Sequence, residues 1–318
     1  MMSARLLLCS ASIALLLPLA AQGDEPLVST SLAHCSDIAA EGKPGKEKSG
    51  EEKAIDTSRV VVAGSAITES LYRLGLEQTI VAVDTTSQWP PEATELPSVG
   101  YLRSLASEGL LSLEPSLMLL AADAGPPETI EQLERTGIAV FQMPRDYSVD
   151  GVTATITSLG CLFGVQDKAD TLNEEVLAAV AEAKEAIPAD GPVPRVLSLL
   201  GTDSNSVMAA GAGTAADAMI RLAGGENVLD NVQGYKPLNA ESLATTKPDV
   251  IIASLHGEGN ADDALRSLLT IPGVAATPAA ENARIHLVEP VRMLGFGPRI
   301  AEALHELVTL FYPAATTK

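Results

Sequence analysis

Basic residues are few in this sequence: 21 lysines and arginines face 41 aspartates and glutamates, a formal net charge of −20. That balance argues against nucleic acid and anionic membrane surfaces as partners, since both favour cationic faces. Histidine is scarcer still, with four in 318 residues, too few in suitable places for the imidazole-rich site of a zinc or manganese carrier. Aromatic residues amount to 3% of the chain, so a tyrosine set in a glycine-flanked loop stands out. Long apolar runs are missing beyond the N-terminus. The single candidate, "MMSARLLLCSASIALLLPLAAQG", has Arg5, a short apolar run and then small residues. It reads as a cleaved secretory signal over residues 1–23 rather than an anchor.

Of the three cysteines, Cys9 lies inside that run and Cys35 well beyond it, so neither suits a lipoprotein attachment site. Cys35 and Cys161 remain in the exported chain, where a disulfide is chemically permitted. Their settings, a charged leader and an apolar helical run, favour two separate thiols. Residues 24–56 include "EGKPGKEKSGEEK", which has no apolar period and is expected to be disordered. Its "GKPGKEKSG" is no phosphate loop, because no Gly-Lys-Ser/Thr closes it and no strand precedes it.

From Arg59 onward strand and helix patterns alternate. "RVVVAG" reads as a buried strand, "AITESLYRLG" as a helix, "TIVAVD" as a strand, "SEGLLSLEP" as a short helix stopped by Pro115 and "SLMLLA" as a strand. "PPETIEQLERTG" and "IAVFQMP" add a helix and a strand. The same grammar returns after Pro194 with "RVLSLLG", "TAADAMIRLAGG", "NAESLATTKP", "DVIIAS", "DDALRSLL", "RIHLVEP" and "PRIAEALHELVTLF". The expectation is an α/β protein with two Rossmann-like lobes, residues 57–165 and 189–318, each with a parallel sheet. Between them lies the inter-lobe segment 166–188, in which Gln166 to Ile187 carry apolar positions at helical spacing without proline or glycine. A helix over Gln166 to Ile187 extends roughly 33 Å, enough to join the lobes as one stiff strut. "LASEGLLSLEPSLMLLA" and "LNAESLATTKPDVIIAS" echo one another, which places Glu108 and Glu241 at equivalent positions in related lobes.

The patterns "DTTSQWPPEATELPSVGYLRSLASEGLLSLEPSLML", "MAAGAGTAADAMIRLAGGENV", "GYKPLNAESL" and "LGFGPR" together resemble the class III periplasmic substrate-binding proteins of the cobalamin and ferric-siderophore type, and within them the haem-binding members. The resemblance runs from about Arg59 to Leu310. It implies two α/β lobes joined by one long helix, a monomer in the periplasm, and ferric haem carried between the lobes to an ABC haem permease, with an outer-membrane haem receptor system upstream. It implies no enzyme.

The tyrosine of the Val-Gly-Tyr-x-Arg pattern in that group ligates the haem iron, and it falls on Tyr101. Ferric iron favours an anionic oxygen, and a phenolate can hold haem iron. A phenol titrates near ~10, so ligation near neutrality needs the metal and a nearby cation; Arg103 is placed to supply charge and a hydrogen bond. The bland alternative is a packing tyrosine beside an ordinary salt bridge. Some relatives add a histidine from the second lobe, but "MAAGAGT", Met208 to Thr214, has none. His256, following a strand end, is the candidate second ligand, against a solvated loop histidine. Met208 is expected to pack on the porphyrin. Lys236 and Arg292 are candidates for the propionates, with Tyr235 beside them. His286 and His305 lack metal-ligand spacing. The resemblance assigns Glu108 and Glu241 to docking on permease arginines, beside the simpler reading of acidic residues favouring their own helix dipoles.

The same scaffold carrying cobalamin or a ferric siderophore is the rival, and there Tyr101 becomes a wall residue. "GAGTAA", Gly211 to Ala216, matches a dinucleotide fingerprint, but the strand "RVLSLL" ends ten residues earlier, which counts against a nicotinamide enzyme. "AGSAIT" lacks the closing glycine of a nucleophile elbow.

Overall fold

The computed structural model describes residues 55–201, 207–237, 243, 245–254 and 260–313. The expected signal, nearly all of the leader, Cys9, Cys35, Glu241 and His256 lie outside the described residues.

In chain order the elements are β1 (Val60–Ala63), α1 (Ser65–Arg73), β2 (Ile80–Val83), α2 (Ser107–Leu111), β3 (Leu117–Leu120), α3 (Pro127–Glu134), β4 (Ala139–Gln142), α4 (Val149–Phe163) and α5 (Gln166–Glu185). There follow β5 (Arg195–Leu200), β6 (Met208–Ala210), α6 (Ala215–Leu222), β7 (Glu226–Asn227), β8 (Tyr235–Pro237), β9 (Val250–Ser254), α7 (Ala261–Thr270), α8 (Pro278–Glu281), β10 (Ile285–Val288), α9 (Pro290–Leu294) and α10 (Ile300–Phe311). Among the described residues no helix is long and apolar enough to cross a membrane.

The first sheet has the order β2-β1-β3-β4, with every pairing parallel. β1 and β3 are buried on both faces, as a parallel sheet covered by helices demands. The second sheet has the order β10-β9-β5-β6-β8, with β7 beside β5. It is mixed rather than wholly parallel, because β6 runs antiparallel to both β5 and β8. β6 and β8, of three residues each, are too short to leave a period of their own in the sequence.

Alternate residues of each strand serve different cores. Val60 and Val62 of β1, Leu117 and Leu119 of β3, Val196 of β5, and Val250 and Ile252 of β9 all belong to one continuous apolar cluster. Val61, Met118 and Leu120 turn to the opposite face of the first sheet, under Leu110 and Leu133. Leu197, Leu199, Ile251 and Ala253 do the same in the second, over Leu268. The strut α5 joins the two sheets through that shared cluster. Its Ala169, Leu172, Val176, Val180 and Ala183 form one stripe at helical spacing, packed on α4 from the first half and α10 from the second.

The internal echo is visible in the backbone. Glu114 and Lys247, each just before a proline, adopt left-handed φ of 48° and 43°, the first shortly after α2 and the second directly after the helical residues 245 and 246. Arg59, opening β1, donates from Nε to the Glu114 carbonyl at 3.0 Å and from Nη2 to that of Leu113 at 2.6 Å. Arg195, opening β5, donates from Nη2 to the Thr246 carbonyl at 2.8 Å. In both copies an arginine at a strand start therefore satisfies carbonyls at a helix end.

A second seam joins the halves through "LGFGPR". Arg299 Nε donates to Glu69 Oε1 of α1 at 2.6 Å, with side-chain exposures of only 12% and 6%. Trp89 covers the Arg299 guanidinium at 4.4 Å from ring centroid to Cζ, and Phe296 meets Tyr147 at 5.3 Å between centroids. A Cβ at Gly297 would lie 3.2 Å from the Ala66 Cα, so a side chain here would press on the backbone of α1.

Candidate functional site

The loop that carries Tyr101 is pinned on both sides. Val83 N donates to the Pro97 carbonyl at 3.0 Å, Val99 N to the Val83 carbonyl at 2.9 Å and Thr85 N to the Gly100 carbonyl at 2.9 Å, extending the edge of β2. On the other side Gly125 N donates to the Leu102 carbonyl at 2.9 Å, and Leu105 N to the Gly125 carbonyl at 2.8 Å. Leu102 and Leu105 are buried beneath, while Tyr101 between these clips is 43% exposed. Gly100, at φ 82°, makes the left-handed turn that delivers Tyr101 to the surface. Two leucines anchor the loop and the polar residues between them face outward.

Arg103 Nη1 donates a hydrogen bond to the Tyr101 hydroxyl, and Nη2 donates to Oδ2 of Asp123 in an ion pair. The guanidinium carbon lies 5.5 Å from the Tyr101 ring centroid, within cation–π range. Burial works against the Arg103 charge, yet the Asp123 carboxylate and the Tyr101 hydroxyl together raise its pKa above the ordinary arginine value. Asp123 was not singled out in the sequence; it lies in the loop after β3, 20 residues from Arg103.

Tyr235 approaches the same place from the second sheet. Its phenol interacts electrostatically with Tyr147 and Arg103 of the first half. Burial, with Tyr147, pushes its pKa up, against the pull of Arg103 and a Thr214 hydrogen bond. The register pairs Met208 with Pro237, Ala209 with Lys236 and Ala210 with Tyr235. Met208 and Tyr235 therefore share one face, and Lys236 turns to the other, where it is exposed. Tyr101 and Arg103 are thus in direct contact, Tyr235 is close enough to Arg103 to feel its charge, and Lys236 turns away from the Tyr235 face.

Arg292, on α9, commits its guanidinium to Glu306 of α10 at 2.5 Å. His286 is half-buried on β10, and burial together with Arg284 lowers its pKa. His305 is exposed on α10. Among the described residues no group of three or more histidine, cysteine, aspartate or glutamate side chains could hold a metal ion. Glu108 is exposed in the first turn of α2. Cys161 is disulfide-bonded, which corrects the expectation of a free thiol; its partner lies outside the described residues.

"GAGTAA" is closer to a strand than expected, since β6 ends at Ala210, immediately before Gly211. The fingerprint still fails for a physical reason. β6 is antiparallel to its neighbours, and the N-terminus of α6 is satisfied internally. The Thr214 hydroxyl accepts from Asp217 N at 3.1 Å, and Asp217 Oδ2 accepts from Gly213 N at 3.3 Å. A carboxylate thus sits where a pyrophosphate would have to bind.

A concavity of about 580 Å³ lies elsewhere, at the N-terminal ends of β5 and β9, lined by Pro188–Pro194, Asp249, Arg284 and Tyr312 among others. Its Arg284 is spent on the Leu310 and Phe311 carbonyls at 3.0 and 2.8 Å.

Residues 60–290 match the periplasmic binding protein family. Among solved structures, the periplasmic heme-binding protein BhuT in complex with two hemes is 37% identical, with a TM-score of 0.75 over 81% of this chain and 98% of that one. The apo form of the periplasmic heme-binding protein RhuT from Roseiflexus sp. RS-1 is 34% identical, with a TM-score of 0.75 over 82% and 100%. The cobalamin-binding protein of Halobacterium salinarum is 28% identical over 265 residues, covering 81% of this chain and 70% of that protein. Such proteins bind substrates for ABC transporters rather than transform them. With two α/β halves on one long helix, and the family's pattern spanning both, the chain belongs to the periplasmic binding protein family.

Proposed function

We propose that this protein binds ferric haem between its two sheets in the periplasm and hands it to an ABC permease. The observation that carries the reading is the Tyr101 phenol, exposed on a pinned loop with a guanidinium hydrogen-bonded to its oxygen. A hard ferric ion takes an anionic oxygen readily, and Arg103 offers the charge and the donor that favour that form. Haem-binding structures among the relatives support this cargo. Met208 and Tyr235 share a face suited to covering the porphyrin, whereas Lys236 turns away from that face and Arg292 is engaged by Glu306, so neither is assigned to a propionate. His256 keeps its place as a candidate second ligand.

Cobalamin is the second reading, favoured by the names of sequence relatives. Titration of the apo-protein with hemin and, in parallel, with cyanocobalamin separates the two. The expected result is a shifted Soret band with a ferric-tyrosinate charge-transfer band for hemin and no saturable response to cyanocobalamin. The reverse pattern replaces haem by cobalamin.

Docking on the permease is assigned to Glu108 and its sequence equivalent Glu241. Replacing both by lysine should abolish haem uptake in a transport assay while hemin binding persists. Uptake at the wild-type rate would remove both glutamates from the docking role.

A further inference from the structure

The Tyr101–Arg103 unit has a third member. Arg103 bridges two groups: Nη1 meets the Tyr101 oxygen, and Nη2 meets the Asp123 carboxylate. Resting on the haem reading, we propose that Asp123 is a positioning residue, whose carboxylate holds the guanidinium in the orientation that keeps Nη1 on the iron-binding phenol oxygen.

Arg103 needs such an anchor. Its side chain is 54% exposed, and a half-solvated arginine with one hydrogen bond retains much rotamer freedom. The guanidinium is a rigid plane, so fixing Nη2 also fixes the direction of Nη1. Asp123 is better held than the group it holds, at 24% side-chain exposure. Its loop is strapped by Gln142, at the end of β4, whose Nε2 donates to the Ala121, Ala122 and Ala124 carbonyls at 3.2, 3.3 and 3.4 Å. The same loop is clipped to the Tyr101 loop through Gly125. Orientation is therefore transmitted from the sheet edge to the phenol through a chain of short, pinned segments.

A carboxylate beside the guanidinium also offsets positive charge near the phenolate. Anchoring favours ligation and charge cancellation opposes it, so the sign of the effect separates the two roles. Anchoring acts through direct contact, whereas the Asp123 charge reaches the phenol oxygen only across the guanidinium and is screened by solvent.

The expected result is a hemin affinity about fivefold lower in Asp123→Ala, with the tyrosinate band broadened and Asp123→Asn falling between. In an Arg103→Ala background the second substitution should change nothing. Tighter hemin binding in Asp123→Ala, or an equal loss in the Arg103→Ala background, overturns the proposal. A measurement without haem keeps the two readings distinguishable. Nitrogen NMR of the apo-protein should show hindered rotation of the Arg103 guanidinium, released in Asp123→Ala. Free rotation in the wild type also overturns the proposal. Hindered rotation in a protein that ignores hemin leaves the positioning intact and removes haem as the cargo.

Discussion

Tyr101→Phe should abolish the ferric-tyrosinate band and lower hemin affinity about a hundredfold, which corresponds to ~2.7 kcal/mol. The substitution deletes one oxygen and leaves the ring. Its cost to folding should be small, within about 0.5 kcal/mol, because Tyr101 is 43% exposed and the buried Leu102 and Leu105 anchor the loop. Function and stability are therefore separable at this position. Absorption and electron paramagnetic resonance spectra of the hemin complex provide the check. A variant that keeps both the band and the affinity would show that the phenolate is not the iron ligand, and would return Tyr101 to a wall of the site.

The second large effect concerns the seam between the halves. Glu69→Leu removes one partner of a nearly dry ion pair and leaves the Arg299 guanidinium uncompensated, which should cost about 3–5 kcal/mol in chemical denaturation. Adding Arg299→Met should recover most of that loss, since an apolar pair of similar volume avoids desolvating two charges. A single-substitution cost below about 1 kcal/mol would mean that water reaches the pair. The pH dependence has a definite sign. Burial raises the Glu69 pKa, with the hydrogen bond and charge of Arg299 opposing it. The native state thus holds this proton more tightly than the unfolded chain. That contribution to stability is fully present below the ordinary carboxylate pKa, and is lost as pH rises through the raised native value. The stability difference between wild type and Glu69→Gln should therefore shift in favour of Glu69→Gln across that window and be level outside it.

Much of this architecture was legible because it is local or periodic. Strands such as Val60–Ala63 and Val250–Ser254 are continuous apolar runs, and α5 carries its buried stripe openly in sequence. The echo around Pro115 and Pro248 marked equivalent halves, and Tyr101 with Arg103 are near neighbours whose pairing needs no tertiary knowledge. What escaped depends on distance along the chain. Asp123 sits among small turn residues and acquires meaning only when two loops are clipped together. Glu69 and Arg299 are 230 residues apart. Arg292 looked available because its partner, Glu306, faces it from the next helix. β6 and β8 are three-residue strands whose direction is set by pairing, so the mixed second sheet left no signature.

Trp89, stacked on Arg299 across that seam, is the sole tryptophan of the chain. All indole emission therefore originates where the two halves meet. Any parting of the halves at this point unstacks the ring from its cation, so their movement is written into one native fluorophore, without a label.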